Sequence, residues 1–284
     1  MLWSLLFAVL AAIPQGSPAR ITPGLVVLVG EGAELDAKTC AELAGEKRVL
    51  LCVGDAAGAF DPLSSAVSPA VRIVLDPSAP FAGDAREPAE LARTATCVVL
   101  SGGGFMEWYR LLTPGGSTTR LSEAIRGAHS AGVAVVGVGA AAPFLARWAM
   151  VDRAALAKRL RNPRREREDV AVAGLGLLED LLVDSSARPR GDPARTLRAA
   201  FDGSIGTVLF LDGPATWIGD PREHSARIRG KGTALVFDLS SARRQRETWR
   251  EGRLSMLSDG DSWTQRRGCE CAEPTTAGDL TAEP

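Results

Sequence analysis

Histidine is scarce in this chain, with only His129 and His224 among 284 positions. Two imidazoles exclude a multi-histidine metal site within one chain. Tyrosine is scarcer still, and Tyr109 stands alone. An excess of one charge is also missing. The 33 basic and 34 acidic residues leave a formal net charge of −1, so the whole molecule has no general attraction to nucleic acid or an anionic membrane. Long hydrophobic runs are limited too. The apolar stretch from Leu2 to Ile13 falls short of the roughly 20 residues that a spanning helix needs, so no stable membrane anchor is expected. Five cysteines make an odd count. Cys40, Cys52 and Cys97 lie in or beside apolar segments, where free cysteine behaves as a small apolar residue. Cys269 and Cys271 form a Cys-x-Cys pair in a polar tail. Two thiols with no nearby histidine make no zinc site, although an oxidising compartment would allow them to bridge to another chain.

What the N-terminus does contain reads as a secretory signal peptide over residues 1–19. The apolar Leu2–Ile13 stretch is followed by Pro14, Gly16 and Pro18, and Ser17-Pro18-Ala19 supplies small residues for cleavage. Its n-region has no Lys or Arg; the alternative is a buried N-terminal helix. Export to the periplasm or the extracellular space is the expectation. The remainder divides into an α/β domain over 20–239 and a polar tail over 240–284. That tail passes from Arg-rich sequence into Thr, Ala, Gly and acidic residues without apolar period, which predicts disorder.

Within the domain, continuous apolar runs predict strands buried on both faces. They are Leu25–Val29, Arg48–Val53, Val71–Leu75, Thr96–Leu100 and Val133–Val136. Helical patterns fall at Leu35–Ala44, Glu87–Arg93 and Arg120–Ala131, the last with Leu121, Ala124, Ile125 and Ala128 on one face. Such alternation implies a doubly wound, mostly parallel sheet. Later strands at Thr207–Leu211, Ala226–Arg229 and Thr233–Leu239 are too closely spaced for helical crossovers and imply an antiparallel C-terminal extension. Lys158–Asp169 mixes Arg with Glu and reads as a solvated segment.

The most informative stretch is Val133-Ala-Val-Val-Gly-Val-Gly-Ala-Ala-Ala142. A β-branched strand breaks into small residues, and an apolar helix pattern follows from Ala140 to Met150. Such a turn exposes the serine or cysteine of a nucleophile elbow in many hydrolases. Here the turn residue is Gly139, which has no side chain to attack with.

In the same order along residues 24–239, the chain resembles the cyanophycinase and dipeptidase E family of serine peptidases. The loop Ser101-Gly102-Gly103-Gly104-Phe105 matches the family's Gly-Gly-x-Gln, with Phe105 in the glutamine's place. Gly137-Val-Gly-Ala-Ala-Ala142 matches the elbow, with Gly139 for serine. Gly174–Leu178 resembles the approach to the family's histidine motif. After Asp184, Ser185 replaces glutamine and Ser186 replaces the catalytic histidine. Arg190 and Arg195 match the first and third of the family's arginines, and Asp192 replaces the second. Gly213 of Leu211-Asp212-Gly213 stands where a glutamate would orient the histidine. Ile228–Asp238 resembles the last strand pair.

The resemblance implies a flavodoxin-like or class I glutamine-amidotransferase-like α/β fold. It also implies a dismantled triad at Gly139, Ser186 and Gly213, since acyl transfer needs nucleophile, base and orienting group together. Ser101, Ser185 and Ser186 are the remaining hydroxyls nearby, and serine is unreactive without a base. His129 is expected on an exposed helix position and His224 in a polar turn. Gly103, Gly104, Phe105, Asp184, Arg190 and Arg195 are the candidate binding residues, the arginines as carboxylate partners. The glycine run lacks the lysine of a phosphate loop, and no cofactor is expected. Three functions follow: a non-catalytic exported protein that binds a peptide or amino-acid-like ligand, an active hydrolase with a rearranged site, or a structural subunit pairing with an active family member. The expected protein partner is a further copy of the chain or an active paralogue.

Overall fold

The computed structural model describes residues 24–30, 33, 50–53, 70–73, 82–150, 171–185, 193–245 and 248–265. The signal segment, the Leu35–Ala44 helix, the charged Lys158–Asp169 stretch, Ser186, Arg190, Cys40, Cys269 and Cys271 lie outside the described residues.

Five strands make the parallel heart of an eight-stranded sheet: β1 (Val26–Val29), β2 (Leu50–Val53), β3 (Ala70–Ile73), β4 (Cys97–Leu100) and β5 (Ala134–Val138). They lie in the order β3-β2-β4-β5-β1, each parallel to its neighbour. Every residue of β1 and β4 is buried, as unbroken apolar runs require. Cys97 is among them, a free thiol in the core. Between β3 and β4 runs α1 (Arg86–Thr94); α2 (Phe105–Leu112) and α3 (Arg120–Ser130) separate β4 from β5. α3 begins where the Thr119 hydroxyl accepts the Ser122 N–H at 3.3 Å, which satisfies a free donor of the first turn. Its apolar stripe of Leu121, Ala124 and Ile125 joins Val98, Leu100 and Val135 in one core.

The single sheet expected from sequence is corrected to two. After β5 the chain forms a 3-10 segment, Gly139–Leu145, and then β6 (Ala146–Met150), where the apolar pattern had predicted one helix. Pro143 explains the difference, because proline lacks the N–H for an α-helical bond and clashes with the preceding turn. Seven residues of 3-10 segment are too few for the crossover that a parallel return requires. β6 therefore founds a second sheet. This holds β7 (Ala171–Ala173), β8 (Leu178–Asp184), β9 (Thr207–Asp212), β12 (Thr233–Asp238) and β15 (Arg253–Leu257), in the order β15-β12-β9-β8-β6-β7. β6, β8 and β9 run parallel, the others antiparallel. α4 (Pro193–Asp202) connects β8 to β9, and Ala200 packs with Met150, Leu182, Ile205 and Val208.

β10 (Ala215–Asp220), β11 (Ser225–Gly230) and β16 (Ser262–Thr264) extend the first sheet antiparallel beyond β1. Of the three strands expected from sequence to form an antiparallel extension, only Ala226–Arg229 lies here, as β11. Thr207–Leu211 and Thr233–Leu239 fall in the second sheet as β9 and β12, and β9 runs parallel to β8 because α4 supplies the crossover. β13 (Arg243–Gln245) and β14 (Thr248–Arg250) form a separate ribbon. The polar tail expected to be disordered from 240 is thus corrected: residues 243–264 include four strands, two of them completing the main sheets. β15 and β16 lie at sheet edges, where mostly exposed positions tolerate Arg and Ser, so composition hides them. No described helix is long and apolar enough to cross a membrane.

Candidate functional site

Parallel strands present all their carboxyl ends at one edge of a sheet, where ligand crevices of open α/β folds lie. β4 ends there in the Ser101–Gly104 loop, and β5 ends there in Gly139. The register places Leu100 beside Gly137, and Val29 of β1 beside Val138. Gly30 then abuts the β9–β10 turn: its N–H donates to Ala215 O at 2.8 Å, and a Cβ at residue 30 would come within 2.5 Å of Gly213 O. β8 delivers Asp184 and Ser185 from the second sheet, and Ser185 Oγ donates to Gly139 O at 3.3 Å. Gly139, Ser185 and Gly213, far apart in sequence, therefore gather at the seam where the chain passes from one sheet to the other.

Gly139 has φ +57°, the left-handed region that an elbow residue adopts under strain. A Cβ built there meets nothing within 4 Å, and the same holds at Gly104 and Gly213. The turn keeps both the backbone and the open space of an elbow. The following segment is held close from behind. Leu175 N–H donates to Phe144 O at 2.6 Å and Leu177 N–H to Leu145 O at 2.9 Å. Gly174 permits this approach, since a Cβ there would stand 2.2 Å from Ala146 O. The Gly174–Leu178 stretch picked out by sequence thus braces the elbow.

The glycine loop is fixed by its own helix. Trp108 Nε1 donates to Gly102 O at 2.7 Å, and Gly104 N–H donates to Glu107 Oε2 at 2.7 Å. The chain's own carboxylate therefore occupies this backbone donor at the start of α2. Phe105 is buried, with its ring 4.7 Å from that of Phe144. It joins the loop to the elbow segment. Asp184 is 8% exposed and accepts from Thr196 Oγ1 at 2.9 Å. Arg195, half-buried, sits in the first turn of α4 beside Thr196. Ser101 is buried, and its Oγ has no hydrogen-bond partner among the described residues. Its position at the end of β4 does not supply a base.

Both histidines lie at the opposite edge. Nε2–H of His129 donates to Gly24 O at 3.0 Å, at the amino end of β1, where Gly24 also bonds His129 O. His129 is 6% exposed, which corrects its expected exposure: it follows Leu121 and Ile125 at i+8 and i+4 on the buried face of α3. Burial holds its imidazole below the ordinary histidine value, and the bond to Gly24 offsets this only in part. His224 closes the β10–β11 turn. Since β10 runs antiparallel to β1, with Val26 beside Gly219, that turn also falls at the amino edge. There the Arg222 guanidinium bonds Asp220 and holds its carboxyl below the usual range. No group of three or more His, Cys, Asp or Glu suited to a metal comes together among the described residues.

No family model matches this sequence, and no curated protein matches it. Solved structures do. A peptidase from an acI-B1 Actinobacterium superimposes with a TM-score of 0.61 at 18% identity, covering 87% of this chain and 98% of its own. The chain shares the fold of a solved peptidase. A protein of Listeria monocytogenes EGD-e carrying the provisional name peptidase E aligns with a TM-score of 0.44 at 11% identity, over 73% of this chain and 98% of its own.

Proposed function

We propose that this chain is an exported protein of peptidase fold that binds a peptide or amino-acid-like ligand at the seam and does not cleave it. One observation carries the reading: the elbow lies at the carboxyl edge of the parallel sheet and both imidazoles of the chain at the amino edge. A general base must stand within about 3 Å of the proton it takes, or reach it through one water. The length of a five-residue strand, about 16 Å, separates the two edges at β5. Gly139 offers no hydroxyl, and the Ser185 hydroxyl at the seam spends its proton on the Gly139 carbonyl.

Binding remains chemically reasonable at this place. The open positions at Gly104, Gly139 and Gly213 leave room, and Arg195 offers a guanidinium beside Thr196, the hydroxyl partner of Asp184. Arginine suits a ligand carboxylate because its fork donates two parallel bonds. The test is calorimetric titration of the mature protein with aspartyl and β-Asp-Arg dipeptides, each sample then assayed for released amino acids. Binding without release is expected, weakened about ten-fold by Arg195→Ala, the loss of roughly 1.4 kcal/mol. Release well above the buffer rate would overturn the reading. Export is tested by sequencing the N-terminus of the mature chain, expected at Arg20; intact Met1 on soluble cytoplasmic protein would cancel it.

A further inference from the structure

Only two large apolar side chains among the described residues are strongly exposed, Leu254 at 59% and Met256 at 74%. Both lie on β15, two residues apart, so they share one face of the strand. β15 ends the second sheet, paired with β12 on one side and with no described strand on the other. An edge of this kind presents a row of backbone donors and acceptors. Adjacent exposed apolar side chains add to its tendency to pair.

The ends of the strand differ in charge. Arg253 opens it, exposed, and Asp259 follows its far end. Asp259 Oδ1 takes the Gly230 N–H at 3.1 Å, which holds the carboxylate in place. A strand basic at one end and acidic at the other complements a second copy of itself laid antiparallel. We propose that β15 is a dimer edge, pairing with β15 of a second copy about a two-fold axis through Ser255. In that register Leu254 of each copy lies opposite Met256 of the other, giving two apolar pairs on one face. Arg253 lies opposite Leu257 and diagonal to Asp259, a separation that a long side chain spans. The two six-stranded sheets become one continuous sheet. The edge is used once, so the assembly closes as a dimer.

Sedimentation of the mature chain up to about 100 µM, a range in which weak specific contacts are populated, tests this. A dimer is expected. Leu254→Lys with Met256→Lys should raise its dissociation constant at least about ten-fold. Because both positions are exposed, the unfolding midpoint measured at a concentration where both proteins are monomeric should not move. Ser255→Cys, in a Cys269→Ser, Cys271→Ser background, should oxidise to a disulfide between the two residues 255, identified by peptide mass mapping, since directly opposed residues on paired strands lie within bridging distance. A monomer throughout the range would overturn the proposal. So would a dimer indifferent to the lysines, a species larger than a dimer, or absence of the 255–255 bridge.

Discussion

The two edges of the parallel sheet have divided between them what a hydrolase keeps together. At the carboxyl edge stand a left-handed turn at Gly139, open space around it and a glycine loop tied down by Trp108 and Glu107. At the amino edge stand both imidazoles, one buried against Gly24 and one closing a strand turn. Among the described residues, the first edge has geometry with little proton chemistry. The second has titratable groups in roles that hold the fold together. A site's backbone and its reactive side chains are separable, because packing fixes the one whether or not the other is present.

The largest effect should come from crowding the brace behind the elbow. Gly174→Ala puts a methyl against two carbonyl oxygens, Ala146 O at 2.2 Å and Phe144 O at 2.7 Å, and should destabilise by about 3 kcal/mol, as overpacking of rigid backbone does. Urea unfolding measures it. A cost near zero would mean that the Gly174 loop does not bear on the elbow.

Gly139→Ser should cost less, on the order of 1 kcal/mol, although it alters the more distinctive residue. The space is open, so only the positive φ penalises a side chain. The same unfolding series gives both values, and reversal of their order would break the contrast between a closed brace and an open turn.

The amino edge should reveal itself by pH. His129 has a depressed folded-state value, so the unfolded chain binds the proton more readily. Stability should therefore be fully present above the ordinary histidine value of about 6.5 and fall as pH drops through it toward the lowered folded value. Melting temperatures at steps from pH 7.5 to 5 should show this decline, and His129→Gln should flatten that part of the curve. An unchanged slope in the variant would assign the pH dependence to another group. The smallest effect concerns His224, which has φ +49°. His224→Gly should gain a few tenths of a kcal/mol, if anything, because glycine adopts that region without strain.

Much of the first sheet was legible in the sequence because doubly buried parallel strands must be unbroken apolar runs, as at Val26–Val29 and Cys97–Leu100. The second sheet was mostly hidden. β8 carries Glu179 and Asp180 in its exposed first half, with Asp180 at φ +56°, so no run or alternation marks it. The helix expected from Ala140 ignored Pro143, the one residue there that argues against a helix. α2 and α4 give a weak signal in the sequence because their short patterns abut glycine and proline. At the site, sequence order points to Gly139, Ser186 and Gly213; the fold brings Gly139 and Gly213 to the seam together with Ser185, and Ser186 lies outside the described residues. It gave no sign that the chain's histidines stand at the far edge, since that depends on the direction in which β10 runs beside β1.

The central claim is that the elbow retains its shape without a base beside it. Intact-mass analysis after exposure to a fluorophosphonate, on wild type and on Gly139→Ser, tests it most directly. Both proteins should keep their masses, because a serine at 139 would have no group to take its proton. A single adduct mapped to residue 139 in the variant would mean that a base already stands at the carboxyl edge, and would contradict the account.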